Sequence, residues 1–175
     1  MTAWSDENGI RRAAYDSVLL CAALALSYLE SLLPLPLPGL KPGFANIAVT
    51  VAAYRYSIRD AALVSLCRVA LMFILFGGGA SLLFSLLGAL CSLLMLCATK
   101  HTARPRLSFI GISALCALSH NLGQLAAAVI VSGTPALAYA PYLLIASALC
   151  GSVNGVILGA LPKKLFSQPK NNTLS

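Results

Sequence analysis

The chain has 175 residues, of which 59% are hydrophobic and only 10% charged, with a mean hydropathy of +0.86 and a formal net charge of +7. A soluble domain of this length needs a far more polar surface, so the composition excludes a soluble enzyme and predicts an integral membrane protein. Apolar stretches fill nearly the whole chain and leave no room for a separate catalytic domain.

The predicted order is a polar N-terminal segment 1–12, a membrane domain 13–161 and a C-terminal tail 162–175. The first apolar run, from about Ala13 to Leu33, has no small-residue cleavage site after it and reads as a helix, not a signal peptide. Next comes LPLPLPGLKPGFAN, Leu33 to Asn46, where Pro34, Pro36, Pro38, Pro42, Gly39 and Gly43 forbid a continuous helix. This apolar, proline-kinked loop with the single charge Lys41 is either a ligand lid or a rigid connector on the membrane surface. A second helix is expected from about Gly43 to Tyr56, a third from Ala61 to Phe76 and a fourth from Ser81 to Ala98, with the Gly77–Gly79 break between the last two. The basic loop KHTARPR leads to a fifth helix over about Leu107 to Val131. The uncharged turn SGTPALAYAP leads to a sixth over about Tyr142 to Leu161.

Six spans make an all-α membrane bundle with both termini on one side. Arg11, Arg12, Arg55, Arg59, Lys100, Arg104, Arg106, Lys163, Lys164 and Lys170 fall on that side, which the positive-inside rule assigns to the cytoplasm. Topology therefore accounts for most of the net charge, and nucleic-acid binding is not expected. Lys41 falls on the far side and Arg68 within the membrane. The second helix rises only about 21–24 Å against a hydrocarbon core of about 30 Å, so the loop before it must dip inward or the bilayer must thin. Non-helical backbone at that depth is tolerated where it is buried in protein or lines a wet cavity. A helix N-terminus beside Lys41 favours a carboxylate or phosphate.

Ionisable and strongly polar groups inside a bilayer are costly, and each is a functional candidate. Counting about 1.5 Å per residue puts Glu30 about 25 Å from the cytoplasmic side, His120 about 20 Å and Gln124 about 25 Å. His120 and Gln124 share a helical face, while Asn121 points about 100° away. Glu30, His120 and Gln124 are expected to line an outward-facing site beneath the loop; the competing reading has His120 and Gln124 as bonds between helices. Arg68 and Asn154 both count to about 10 Å from the cytoplasmic edge, where a mutual contact or inward snorkelling of Arg68 is expected, outside the site. Asp16, near the inner edge, is expected to be solvated or paired with a basic loop residue. Ala23 and Ser27, four apart on the first helix, permit close helix approach within the fold or to a partner.

No catalytic motif is present: no GxSxG, phosphate loop, HExxH or carboxylate pair. The six cysteines lie in apolar segments without metal-binding spacing and read as small buried hydrophobes, so no metal or cofactor is expected.

At PGLKPGFANI, FSLLGALCSLLML and SHNLGQL the chain resembles the Gx transporter family of bacterial membrane proteins, also labelled heptaprenyl diphosphate synthase component I. One departure is Pro42, where an aliphatic residue is expected. The family is similar to the substrate-binding S components of energy-coupling factor transporters. That resemblance implies a six-helix fold in the bacterial cytoplasmic membrane, with a ligand held near the outer face. It also implies a transmembrane coupling subunit facing Ala23 and Ser27 and driven by cytoplasmic ATPases. Lys41, Asn46, His120, Asn121 and Gln124 match the family's motif positions; Glu30 rests on depth alone. The synthase label fits poorly, because prenyl diphosphate synthesis needs Asp-rich magnesium sites and the chain has five acidic residues without a DDxxD-like cluster. Some relatives resemble parts of flavin-based extracellular electron-transfer systems. The second functional class is therefore a membrane subunit that handles a quinone or prenyl lipid with redox partner proteins. A third is an assembly scaffold without a ligand.

Overall fold

The computed structural model describes residues 3–32, 43–102 and 107–166. Lys41, the loop prolines, Arg104, Arg106 and Lys170 lie outside the described residues. Within them, every regular element is helical: α1 (Ala3–Ser31), α2 (Asn46–Arg55), α3 (Ile58–Phe76), α4 (Gly79–Thr102), α5 (Phe109–Ser132) and α6 (Ala140–Ala160), with 3₁₀ turns at Thr134–Tyr139 and Lys163–Leu165.

Six helices appear where six were expected, with different ends. α1 begins ten residues earlier than Ala13, and α4 extends to Thr102. Hydropathy marks where a helix leaves the bilayer, not where it stops being a helix, and the polar residues of 3–12 simply continue α1. Ser108 caps α5 by accepting from Gly111 N at 3.2 Å, which moves its start from Leu107 to Phe109. α2 is shorter than expected: its 10 residues rise about 15 Å.

Four segments are long and apolar enough to cross a bilayer: Gly9–Ser31, Gly79–His101, Phe109–Ser132 and Thr134–Ala160. α2 is too short to do so alone, and α3 carries Arg59, Asp60 and Arg68. The expectation of six full spans is thus met by four helices on these criteria. The outer surface is apolar, with Ile74, Leu94, Ile130 and Ile145 exposed, whereas Glu30, Gln124, Ser27, Ser65 and Ser147 are among the largest fully buried side chains. Apolar outside and polar inside is the reverse of a soluble domain, and the chain is a multi-pass membrane protein. The cysteines follow this surface: Cys116 alone among them is buried, and Cys21 faces outward, contrary to the expectation that all six are buried.

α5 lies between α4 and α6, α1 and α3 pack together on the other side, and α2 touches α1, α3, α5 and α6. Eight of the ten α2 residues are buried, so α2 is the central rod of the bundle. α6 meets α5 through Gly151 and Gly155: a Cβ on Gly155 would stand 2.3 Å from Ile110 Cα, and one on Gly151 2.6 Å from Ala114 Cα. This small-xxx-small pairing lets the two helices approach closely, as does Gly123, whose Cβ would lie 2.4 Å from the Leu87 carbonyl oxygen on α4.

Among the described residues, Arg12, Arg55, Lys100 and Lys164 gather at one end. Arg12 Nε and Nη2 grip the Asp60 carboxylate at 2.8 and 2.5 Å. Arg55 donates to the carbonyls of Lys164 and Leu165 at 2.9 and 3.2 Å, with its guanidinium 3.9 Å from the Tyr15 ring centre. Lys100 donates to the Ala53 carbonyl. Phe109 meets Tyr54 and Phe166. One terminus of every helix therefore meets at this end. Asp16 is buried there beside Arg12 and Asp60, not solvated and not paired with a basic loop residue.

Burial opposes a charge on Asp60, but hydrogen bonds from Arg12 and the Ser57 hydroxyl outweigh it and hold the carboxyl below the usual aspartate range. A carboxylate stabilised this way supports the fold above its unfolded value of about 4, and the contribution is lost as pH falls through the lower folded value. The melting temperature of the purified protein is expected to hold near neutrality and to fall below about pH 4. Asp60→Asn should lower it at neutral pH and blunt the acid step; an undiminished acid step in that variant would place the titrating group elsewhere.

Candidate functional site

The turn that leads into α2, from Gly43 to Asn46, is where the buried polar groups converge. Gly43 has φ +89°, a left-handed conformation that lets the chain turn into α2. Its carbonyl accepts from Asn46 N at 3.1 Å and from the Asn154 side chain on α6 at 3.2 Å. The Phe44 N–H donates to Glu30 Oε1 on α1. The opening N–H groups of a helix lack intrahelical acceptors, and a carboxylate there also opposes the positive end of the helix dipole. Glu30, 2% exposed, stands at this end and takes the Phe44 N–H just before the N-cap Ala45, while the first helical N–H groups, of Asn46 and Ile47, bond the Gly43 and Phe44 carbonyls.

His120 of α5 lies between two glycines. A Cβ on Gly88 of α4 would stand 2.8 Å from its Cε1, and one on Gly43 would stand 3.6 Å from its Cδ2. Gln124, one turn along α5, sets its amide nitrogen 3.0 Å from His120 Nε2, a contact that the Nδ1-protonated tautomer satisfies. Asn46, also buried, has its Nδ2 near Gly43 and without a hydrogen-bond partner among the described residues; the same holds for Asn154 Oδ1.

Arg68 on α3 reaches α1 beside this cluster. Its Nη1 donates to Ser27 Oγ at 3.1 Å, and Ser27 stands one turn before Glu30 on α1. Arg12 and Asp60 pair at the basic end, so α1 has risen about 22 Å from there to Ser27 while α3 has risen about 12 Å to Arg68. The Arg68 side chain thus reaches away from the basic end, and its charge is felt by Glu30.

The structure brings together Glu30, Asn46, His120 and Gln124 from the expected set. It adds Asn154, which depth counting had left outside, sets Arg68 one turn from Glu30, and replaces the expected Arg68–Asn154 contact with bonds to Ser27 and Gly43. The count took the pre-α2 turn to lie near the outer face. With α2 only about 15 Å long, the turn lies deeper, at the level Asn154 reaches from α6. Asn121 is not in this cluster: its Nδ2 donates to Ser147 Oγ at 2.8 Å and to the Leu143 carbonyl at 3.4 Å, tying α5 to α6. Ala23 and Ser27 are buried inside the chain's own core, 0% and 1% exposed, because α1 turns this stripe toward α2 and α3 and not toward a second protein. The Gly151/Gly155 pair on α6, which seats Asn154, was the readable signal for that residue. A groove of about 310 Å³ between α1 and α3, lined by residues including Arg12, Asp16, Leu20 and Leu63, opens at the basic end and does not touch the α2 turn.

These features define a helical multi-pass membrane protein with a buried polar centre assembled on a short internal helix. The family described as heptaprenyl diphosphate synthase component I matches residues 19–161, and the chain belongs to that family, the one that its PGLKPGFANI and SHNLGQL motifs resemble. No curated protein and no solved structure matches the chain.

Proposed function

We propose that the chain is the substrate-binding membrane component of an uptake transporter for a small anionic or amphipathic metabolite. The observation that carries this reading is the convergence of Glu30, Asn46, His120, Gln124 and Asn154 on the turn that leads into α2, within a membrane-embedded fold. Buried polar groups are normally all paired, so the open Asn46 Nδ2 and Asn154 Oδ1 supply one donor and one acceptor to a ligand. Lys41, three residues before Phe44, would add charge from the lid. The basic end would face the cytoplasm by the positive-inside rule, with six helices crossing or entering the bilayer and both termini inside. Energy would come from a transmembrane coupling subunit and cytoplasmic ATPases. With Ala23 and Ser27 turned inward, such a subunit would meet the outward stripe of α1 that carries Val18, Ala22, Ala25 and Leu29. The family's synthase name describes chemistry for which these five scattered acidic residues offer no Asp-rich magnesium site, and the chain is read as a non-enzyme.

Mass spectrometry of small molecules retained by gently purified protein tests this. A water-soluble metabolite is expected with the unaltered chain and its loss with Lys41→Ala and His120→Ala. A quinone or prenyl lipid retained regardless of Lys41 would overturn the transport reading in favour of a redox membrane subunit.

A further inference from the structure

Arg68 is 4% exposed and sits in the apolar body of the bundle, yet only one of its nitrogens, Nη1, is hydrogen-bonded, to Ser27. Its Nε and Nη2 are buried with no partner among the described residues. Those two N–H groups form one edge of the planar guanidinium, the side-on fork that matches the two oxygens of a carboxylate or phosphate. The same chain shows that edge in use: Arg12 holds Asp60 through Nε and Nη2, one to each carboxylate oxygen. Arg68 carries the same fork, with neither nitrogen hydrogen-bonded to another described residue. A permanently charged guanidinium held inside a membrane protein with two of its three nitrogens unpartnered is costly, and arginines at such depth pair with anions or line pathways.

Charge balance points the same way. Glu30 is the acidic group whose charge reaches Arg68, and its Oε1 is committed to the Phe44 N–H at the start of α2. That leaves the side-on edge of Arg68 without a carboxylate oxygen on it, in a medium where unbalanced charge is heavily penalised.

We propose that Arg68 is the anion-recognition residue of this site and that the ligand carries a carboxylate or phosphate group gripped side-on by its Nε and Nη2. This rests on the transporter reading for its location and names the substrate class. Arg68→Lys keeps the charge but removes the fork, and retention of the oxyanion ligand is expected to fall about tenfold or more.

The test uses full-length chain with ¹⁵N-labelled arginine in phosphatidylcholine nanodiscs, with the Arg68 Nε–H resonance assigned by its loss in Arg68→Lys. Inorganic phosphate and acetate are titrated separately, and a third arm uses nanodiscs containing phosphatidic acid. A saturable shift with either free anion supports the fork and assigns a soluble source; a shift confined to phosphatidic acid supports it and assigns a lipid headgroup. No shift in any arm overturns the proposal. So does a resonance that moves only on Glu30→Gln, which would mean Glu30 already fills the fork. A retained metabolite without an oxyanion would remove this inference and leave the transporter reading standing. A retained quinone indifferent to Lys41 would remove the transporter reading while the Arg68 shift is judged by itself.

Discussion

Gly155→Ala is expected to be the most damaging single-methyl addition in the chain. Its Cβ would lie 2.3 Å from Ile110 Cα, 2.9 Å from Ile110 N and 3.0 Å from the Phe109 carbonyl oxygen, all backbone atoms that no rotamer change can move. α5 and α6 would have to separate along the Gly151/Gly155 seam, at a cost of about 1–3 kcal/mol or more for an overpacked contact. At about 2–4 °C per kcal/mol for a chain of this size, the melting temperature should fall by several degrees. The damage should also reach the site. Asn154, next to Gly155, holds the Gly43 carbonyl at 3.2 Å, and an outward shift of α6 stretches that bond. Gly159→Ala on the same helix is the control, because a Cβ there meets nothing within 4 Å. If the two variants melt together, the close seam is not what holds α6.

The second large effect is expected at Gly88. An alanine Cβ would press on the His120 ring at 2.8–3.0 Å, and the ring has little room to retreat, with Gly43 behind it and Gln124 at 3.0 Å. The imidazole must swing, breaking its contact with Gln124, so Gly88→Ala should lower ligand retention about tenfold or more, equivalent to at least about 1.4 kcal/mol. Stability tells the mechanism apart from a general packing defect. His120→Ala made in the Gly88→Ala background should recover melting temperature, because the group in the way is gone. Simple addition of the two losses would show that the ring is not wedged against α4.

His120 and Gln124 were readable as a pair because a four-residue spacing puts two side chains on one helical face whatever the surroundings. Glu30 was readable because a carboxylate in an apolar helix is too costly to be incidental. The gathering of Arg12, Arg55, Lys100 and Lys164 at one end followed from alternating helix direction and needed no packing information. Asn121 and Ala23 mark the limit. Periodicity tells which residues share a face, but not which neighbour that face meets, and Asn121 met Ser147 of α6 while Ala23 met the chain's own core. Asn154 and Arg68 mark a second limit, since depth counted along each helix from its cytoplasmic end assumes that all helices start level and that side chains stay at their own height.

By itself the sequence determined that this is a membrane-embedded helical protein, which end of it is basic, and that its α2 entry is broken by proline and glycine. Those properties are set by composition and by backbone restrictions local to a few residues. Only the tertiary structure decided that Asn154 and Gly88 join Glu30, Asn46, His120 and Gln124 around one turn, with Arg68 held against Ser27 beside them. The reason is physical: α2 is short and buried on nearly all sides, so its first turn stands inside the bundle. The groups that must satisfy its exposed N–H and C=O are drawn from helices far away in the chain, through close approaches that only small residues such as Gly88, Gly151 and Gly155 allow.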